Sequence, residues 1–160
     1  MQRLYVIRHA SAVDCPPAEL DHERWLTQAG RHEAALTGRK LKTEKIDLVL
    51  SSPLVRALQT AEIVARHARI ANIEVLSMMA SGADQSTLFD ALGARAEARI
   101  AIVGHEPDLS TICDRLARAA GIGWSFGMKK GATARFDGTR LPDGAKFRWY
   151  MPPGKKRVRA

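Results

Sequence analysis

Residues 4–9 read Leu4-Tyr5-Val6-Ile7-Arg8-His9. A continuous apolar run this short fits a strand covered on both faces, and it runs directly into an arginine and a histidine. It is too short for a signal-peptide core or a membrane span, so a cytoplasmic protein with no membrane partner is expected. Similar runs recur at Ile46 to Leu50, Ile73 to Leu76 and Ile100 to Val103. Between them the spacing predicts helices. Leu54, Ala57, Leu58, Ala61, Val64 and Ala65 form one stripe after Pro53, and Leu109, Ile112, Cys113, Leu116, Ala117 and Ala120 form another. Asp108 is the expected cap of the second and Gly121 its stop. Thr27 is expected to cap a helix from near Gln28 to Lys42, and a shorter one should lie near Ser86 to Leu92. Two late strands are expected at Thr133 to Phe136 and Phe147 to Met151. Alternating strands and helices mark an α/β fold.

What stands at the strand ends carries the chemistry. The first strand ends in Arg8-His9. The second leads into Ser51-Ser52-Pro53, with Arg56 in the first turn of the following helix. The fourth leads into Gly104-His105-Glu106-Pro107. Ligands of open α/β sheets bind outside the carboxyl ends of the strands, so two arginines and two histidines should meet in one crevice. Arginine forks match phosphate oxygens, helix N-termini favour anions, and a neutral imidazole can attack phosphorus near pH 7. No aspartate-rich metal cage and no Walker-type loop is present, so no metal and no cofactor are expected. The cationic clamp would stand in for magnesium.

Composition fits this reading without choosing it. The 160 residues, 46% apolar and 26% charged, suit one soluble domain that buries its own core. We expect it to span residues 1–152, followed by a basic, solvated tail at 153–160 that includes Lys155, Lys156, Arg157 and Arg159. Twenty-five Lys plus Arg against 17 Asp plus Glu give a net charge of +8, which favours acidic partners. Cys15 and Cys113 lie far apart with no metal or redox spacing and read as reduced thiols. His22, His32 and His67 stand alone and are assigned no role.

Tyr5-Val6-Ile7-Arg8-His9-Ala10, Leu26-Thr27-Gln28-Ala29-Gly30-Arg31, Ser51 to Ala61 and Val103-Gly104-His105 together resemble the motif blocks of the histidine phosphatase (phosphoglycerate mutase-like) superfamily, in the family's order. The resemblance implies a three-layer α/β/α sandwich with a mostly parallel central sheet. It further implies His9 as the phosphate-accepting nucleophile, with Arg8, Arg56 and His105 as the phosphate-binding pocket, where inorganic phosphate or sulfate would also sit. The short chain most resembles the SixA-like phosphohistidine phosphatases, whose substrate would be a phosphorelay or phosphocarrier domain. Ala10 stands where many relatives carry glycine. Trp25 stands where this branch often shows proline, and Arg24 beside it is a candidate substrate-facing residue.

Larger ester-cleaving relatives supply a glutamate acid from the segment after the second arginine block. Here that stretch is Ser77-Met78-Met79-Ala80-Ser81-Gly82-Ala83-Asp84, without glutamate. An imidazole can leave neutral, whereas an alkoxide benefits from a proton donor by about 10²–10⁴-fold. The missing acid therefore favours a P–N substrate. Glu106 and Asp84 are the candidate acids of the alternative, a small-molecule phosphomonoesterase; otherwise they are first-turn charge and turn residue. A second alternative is a basic domain that only holds phosphate or nucleic acid. The absence of a recognised nucleic-acid motif or zinc spacing argues against a specific nucleic-acid partner.

Overall fold

The computed structural model describes residues 1–14, 18–124 and 127–159; Cys15 lies outside them. Six strands form one sheet: β1 (Gln2–Arg8), β2 (Leu48–Ser51), β3 (Asn72–Val75), β4 (Arg99–Gly104), β5 (Thr133–Gly138) and β6 (Lys146–Met151). Their order is β3-β2-β4-β1-β5-β6. The first four are parallel, whereas β5 runs antiparallel to β1 and β6 to β5. This is the expected mostly parallel sheet, and both of its faces are covered.

Alternation along β1 explains the two cores. Leu4 and Val6 pack with α3 (Leu88–Gly93) and α4 (Asp108–Ala119) on one face. Tyr5 and Ile7 pack with α1 (Gln28–Leu41) and α2 (Val55–Ala68) on the other. Thr27 caps α1 as expected, its Oγ1 accepting from the Gly30 amide at 3.0 Å. The layers are therefore helix, sheet, helix.

Four local expectations are revised. Strand β2 begins at Leu48 instead of Ile46, because Lys45 is left-handed (φ 52°) and Asp47 is taken up by Arg99 at 2.6 Å. Strand β3 lies at the sheet edge with all four residues exposed, so its apolar run does not mark a strand covered on both faces. Asp108 does not cap α4; its carboxylate accepts from the Gly82 amide, and Glu106 bonds the Ser110 amide at 3.0 Å instead.

The basic end is also not a free tail. Val158 pairs antiparallel with Tyr150 through backbone bonds of 2.8 and 2.7 Å. Arg157 reaches Glu44 at 2.6 Å and lies 4.5 Å above the Trp149 ring. Cys113 is a buried free thiol whose pKa burial pushes up. Among the described residues no helix is long and apolar enough to cross a membrane, and no group of three or more His, Cys, Asp or Glu could hold a metal ion.

Candidate active site

Parallel registry brings the chemistry-bearing residues together. Arg8 pairs with Gly104 and Ser51 with Val103, so β1, β4 and β2 end side by side. The ladder continues one residue further on each flank: the His9 amide donates to the Gly104 carbonyl at 3.0 Å and the Ser52 amide to Val103 at 2.9 Å. His9 and His105 are thereby fixed as neighbours, with ring centroids 5.2 Å apart and planes inclined by 47°. Their side chains are buried, at 6% and 2% exposure.

Each ring is oriented through one nitrogen. His9 Nδ1 lies 2.8 Å from the Ala10 carbonyl oxygen. A carbonyl only accepts, so Nδ1 carries the proton and Nε2 keeps its lone pair. His105 Nε2 lies 2.7 Å from Ser52 Oγ, and its Nδ1 is buried without a partner. Burial above all, then the neighbouring cations, pushes His9 down to about 3 and His105 to about 4; for His9, the Ala10 bond and the His105 ring also contribute, in opposite directions, and for His105 the nearby Asp21 pulls upward. Both imidazoles are neutral at pH 7 in the unliganded protein.

The two arginines are held at their tips. Arg8 Nη1 donates to the Met128 carbonyl at 2.8 Å, and the Gly131 amide closes the turn onto the Arg8 and His9 carbonyls at 3.2 and 3.1 Å. Arg56, 5% exposed, stands in the first turn of α2. Its Nη1 donates to the Asp21 carbonyl at 2.6 Å and its Nη2 to the Asp21 carboxylate at 3.0 Å. The Nε atoms of both arginines are buried and unpartnered. Thr60 links α2 to the strand end, donating to the Arg56 carbonyl at 2.7 Å and accepting from the Ala10 amide at 3.1 Å. Around neutral His9 the fold thus gathers the unpartnered Nε donors of Arg8 and Arg56 and the unpartnered Nδ1 of His105, an arrangement suited to an oxyanion whose charge grows on reaction.

Arg24 lies one residue contact away. It donates to the other Asp21 carboxylate oxygen at 3.0 Å and through Nε to the Val13 carbonyl at 2.7 Å. Asp21, Ser52 and Thr60 received no role from the sequence, because each acts through a partner 35 to 53 positions away. Ser52 had a signal in its place at a strand end before proline, and Thr60 in its place within the Ser51 to Ala61 block.

The two candidate acids are differently placed. Glu106 binds Ser110 twice, Oε1 accepting from the amide at 3.0 Å and Oε2 from the hydroxyl at 2.5 Å. Asp84 is exposed and accepts from the Ser86 amide at 2.8 Å, a bond that holds its carboxyl below the usual range.

Comparison with known proteins places the chain in a family. The family described as histidine phosphatase superfamily (branch 1) matches residues 4–80, a span that includes Arg8, His9 and Arg56. An uncharacterised protein of Picosynechococcus sp. is 31% identical over 119 residues, covering 71% of this chain and 72% of that protein. The chain belongs to the histidine phosphatase superfamily. Among solved structures, this histidine phosphatase is similar to the protein histidine phosphatase SixA complexed with tungstate, at 26% identity and a TM-score of 0.83, covering 95% of this chain and 97% of that one. A SixA-type structure from Agrobacterium tumefaciens, 24% identical with a TM-score of 0.77 over 95% of this chain and 98% of its own, shares the fold. These likenesses extend beyond residue 80 and so take in the segment that carries His105 in this histidine phosphatase.

Proposed function

We infer that the chain is a phosphohistidine phosphatase that works through a covalent phospho-His9 intermediate. The observation that carries this reading is the His9 ring itself: neutral, with its proton on Nδ1 bound to Ala10 and its Nε2 lone pair free beside three cationic or donor side chains. In the first step Nε2 forms a bond to phosphorus while the P–N bond of the substrate breaks. The departing imidazole takes the electron pair on that nitrogen and leaves neutral when its other nitrogen already holds a proton. Arg8, Arg56 and His105 spread over the phosphoryl oxygens as charge shifts.

In the second step water attacks phosphorus, loses a proton and releases inorganic phosphate. His9 is then the leaving group, and the Nδ1 proton kept by Ala10 lets it depart neutral in its turn. No donor is required at either leaving atom. That suits a site whose Glu106 oxygens are both occupied by Ser110 and whose Asp84 is turned to its own loop. The SixA structure similar to this chain holds tungstate, an oxyanion of phosphate-like shape. By the same likeness the substrate is a histidine-phosphorylated protein of the phosphorelay or phosphocarrier kind.

The test is turnover by purified protein without added metal, on a phosphohistidine protein and on p-nitrophenyl phosphate, alongside His9→Ala. Rapid loss of phosphate from the protein, slow ester cleavage and at least a 10³-fold loss in the variant are expected. Ester cleavage as fast as P–N cleavage would move the assignment to a phosphomonoesterase. A His9→Ala protein as active as wild type would remove His9 as nucleophile.

A further inference from the structure

A second cationic cavity lies at the opposite end of the sheet. It measures about 520 Å³ and is lined by Arg3, Arg135, Arg148, Arg157 and Arg159. Strand geometry explains why arginines from four segments of the chain converge. Arg3 and Tyr5 share the face of β1 that looks toward α1 and α2, and β5 places Arg135 opposite Tyr5 and Asp137 opposite Arg3. Val158 pairs with Tyr150, so its neighbours Arg157 and Arg159 fall on the Trp149 side of the sheet. Arg157 accordingly covers the Trp149 ring.

Only part of this charge is neutralised. Arg135 is fully occupied, donating to Glu44 at 2.9 Å and twice to Asp137 at 2.8 Å. Arg157 shares Glu44, and Arg148 gives Asp137 only its Nε at 2.9 Å. Both carboxylates are buried, at 7% and 3% exposure. They anchor the inner arginines and leave the outer donors open. The guanidinium groups of Arg3 and Arg159 have no hydrogen-bond or ion-pair partner among the described residues, and both terminal nitrogens of Arg148 are likewise open. Among the described residues, five guanidinium groups thus face two carboxylates around a concave surface. An arrangement that served stability alone would match its charges, because uncompensated like charge opposes folding.

We propose that this cavity is a binding site for a linear polyphosphate anion, either inorganic or the phosphate chain of a nucleotide. A single phosphate would meet one fork. A chain of two or three phosphates spans several and matches the bidentate geometry of Arg3 and Arg148 around a rigid floor of Arg135 and Arg157. The site is independent of the catalytic one. Arg3 and Arg8 are five residues apart on β1, roughly 17 Å at strand rise.

Binding of tripolyphosphate and of ATP is measured by titration calorimetry at fixed ionic strength, in an Arg56→Ala protein whose catalytic pocket is disabled. One equivalent of either ligand should bind, and adding Arg3→Ala with Arg148→Ala should weaken it at least tenfold. The same pair placed in the otherwise wild-type protein should leave phosphatase turnover unchanged, which shows that the fold is kept, and Arg3→Lys with Arg148→Lys should restore part of the affinity. ATP binding more tightly than tripolyphosphate assigns the site to a nucleotide; equal or weaker ATP binding assigns it to the inorganic chain. No binding of either ligand to Arg56→Ala, or undiminished binding after the Arg3 and Arg148 changes, overturns the proposal.

Discussion

Asp21 grips Arg56 from two directions, its carbonyl oxygen 2.6 Å from Nη1 and its carboxylate 3.0 Å from Nη2. Both terminal nitrogens are thereby taken, and Nε is left as the nitrogen without a partner. The same contact sets a negative charge beside the place where phosphate would bind. Replacing Asp21 by Asn keeps the carbonyl anchor and removes the repulsion, which is softened because the Asp21 side chain is 47% exposed. Inhibition by inorganic phosphate should therefore become about 3- to 10-fold tighter. An unchanged or weaker inhibition constant would mean that the carboxylate acts mainly to position Arg56.

Glu106→Gln should change phosphohistidine turnover less than about threefold, against the 10²–10⁴-fold loss expected on removing a general acid. The amide can still accept from the Ser110 hydroxyl or amide, so the stability loss should stay within about 1 kcal/mol. Steady-state kinetics on the phosphohistidine protein and a urea midpoint decide this together. A hundredfold fall in turnover with an unchanged midpoint would restore Glu106 as acid.

Stability should depend on pH between 5 and 7. His9 and His105 have folded values near 3 and 4, below the ordinary 6.5. Within that interval the unfolded chain binds protons that the native state refuses, so stability rises with pH up to about 6.5 and is flat above. Each histidine contributes a slope of at most about 1.4 kcal/mol per pH unit. The depressed carboxylates, Asp21, Asp47 and Asp137, act only below about 4, where their stabilisation is lost as they protonate. Urea midpoints should fall from pH 7 to pH 5, and equal midpoints would contradict two buried neutral histidines. In NMR spectra the His9 and His105 ring signals should likewise not titrate over this range.

Gly30→Ala should destabilise the protein and impair the site together. A Cβ there would lie 1.9 Å from the Ser11 carbonyl oxygen, which already accepts from the Thr27 amide and hydroxyl. Ser11 is also tied to Glu33 by two bonds of 2.9 Å, so it has little room to yield. The overpacking should cost about 1–3 kcal/mol, read as a lower melting temperature, and turnover should fall because Ser11 follows His9 by two residues.

The strand ends were legible because apolar runs and their polar ends are local. Leu4 to Ile7 followed by Arg8 and His9, and Ile100 to Val103 followed by His105, needed no partner to be read. Strand β3 misled because an apolar run reports composition and not position in a sheet, and Val75 is 56% exposed. Asp108 misled because two acids on either side of Pro107 could serve the same helix, and spatial reach decided for Glu106. The contacts of Asp21 with Arg56, Ser52 with His105 and the Met128 carbonyl with Arg8 come from a short 3-10 helix and from irregular segments, none long enough to show a periodicity. The docking of Arg157 on Glu44 across 113 positions was hidden for the same reason, and a basic terminus gave no sign of it.

Many enzymes orient a reactive histidine with a carboxylate side chain, and a single base change in the gene can delete that support. Here the acceptor for His9 Nδ1 is the peptide carbonyl of the next residue. Every amino acid at position 10 supplies that oxygen, so no substitution there removes the chemical group. Substitution can only disturb its direction, through side-chain bulk in a pocket where Ala10 is fully buried. Drift at this position is therefore limited by volume and by the amide that Ala10 donates to Thr60, and no substitution at position 10 removes the oxygen that defines the tautomer of His9.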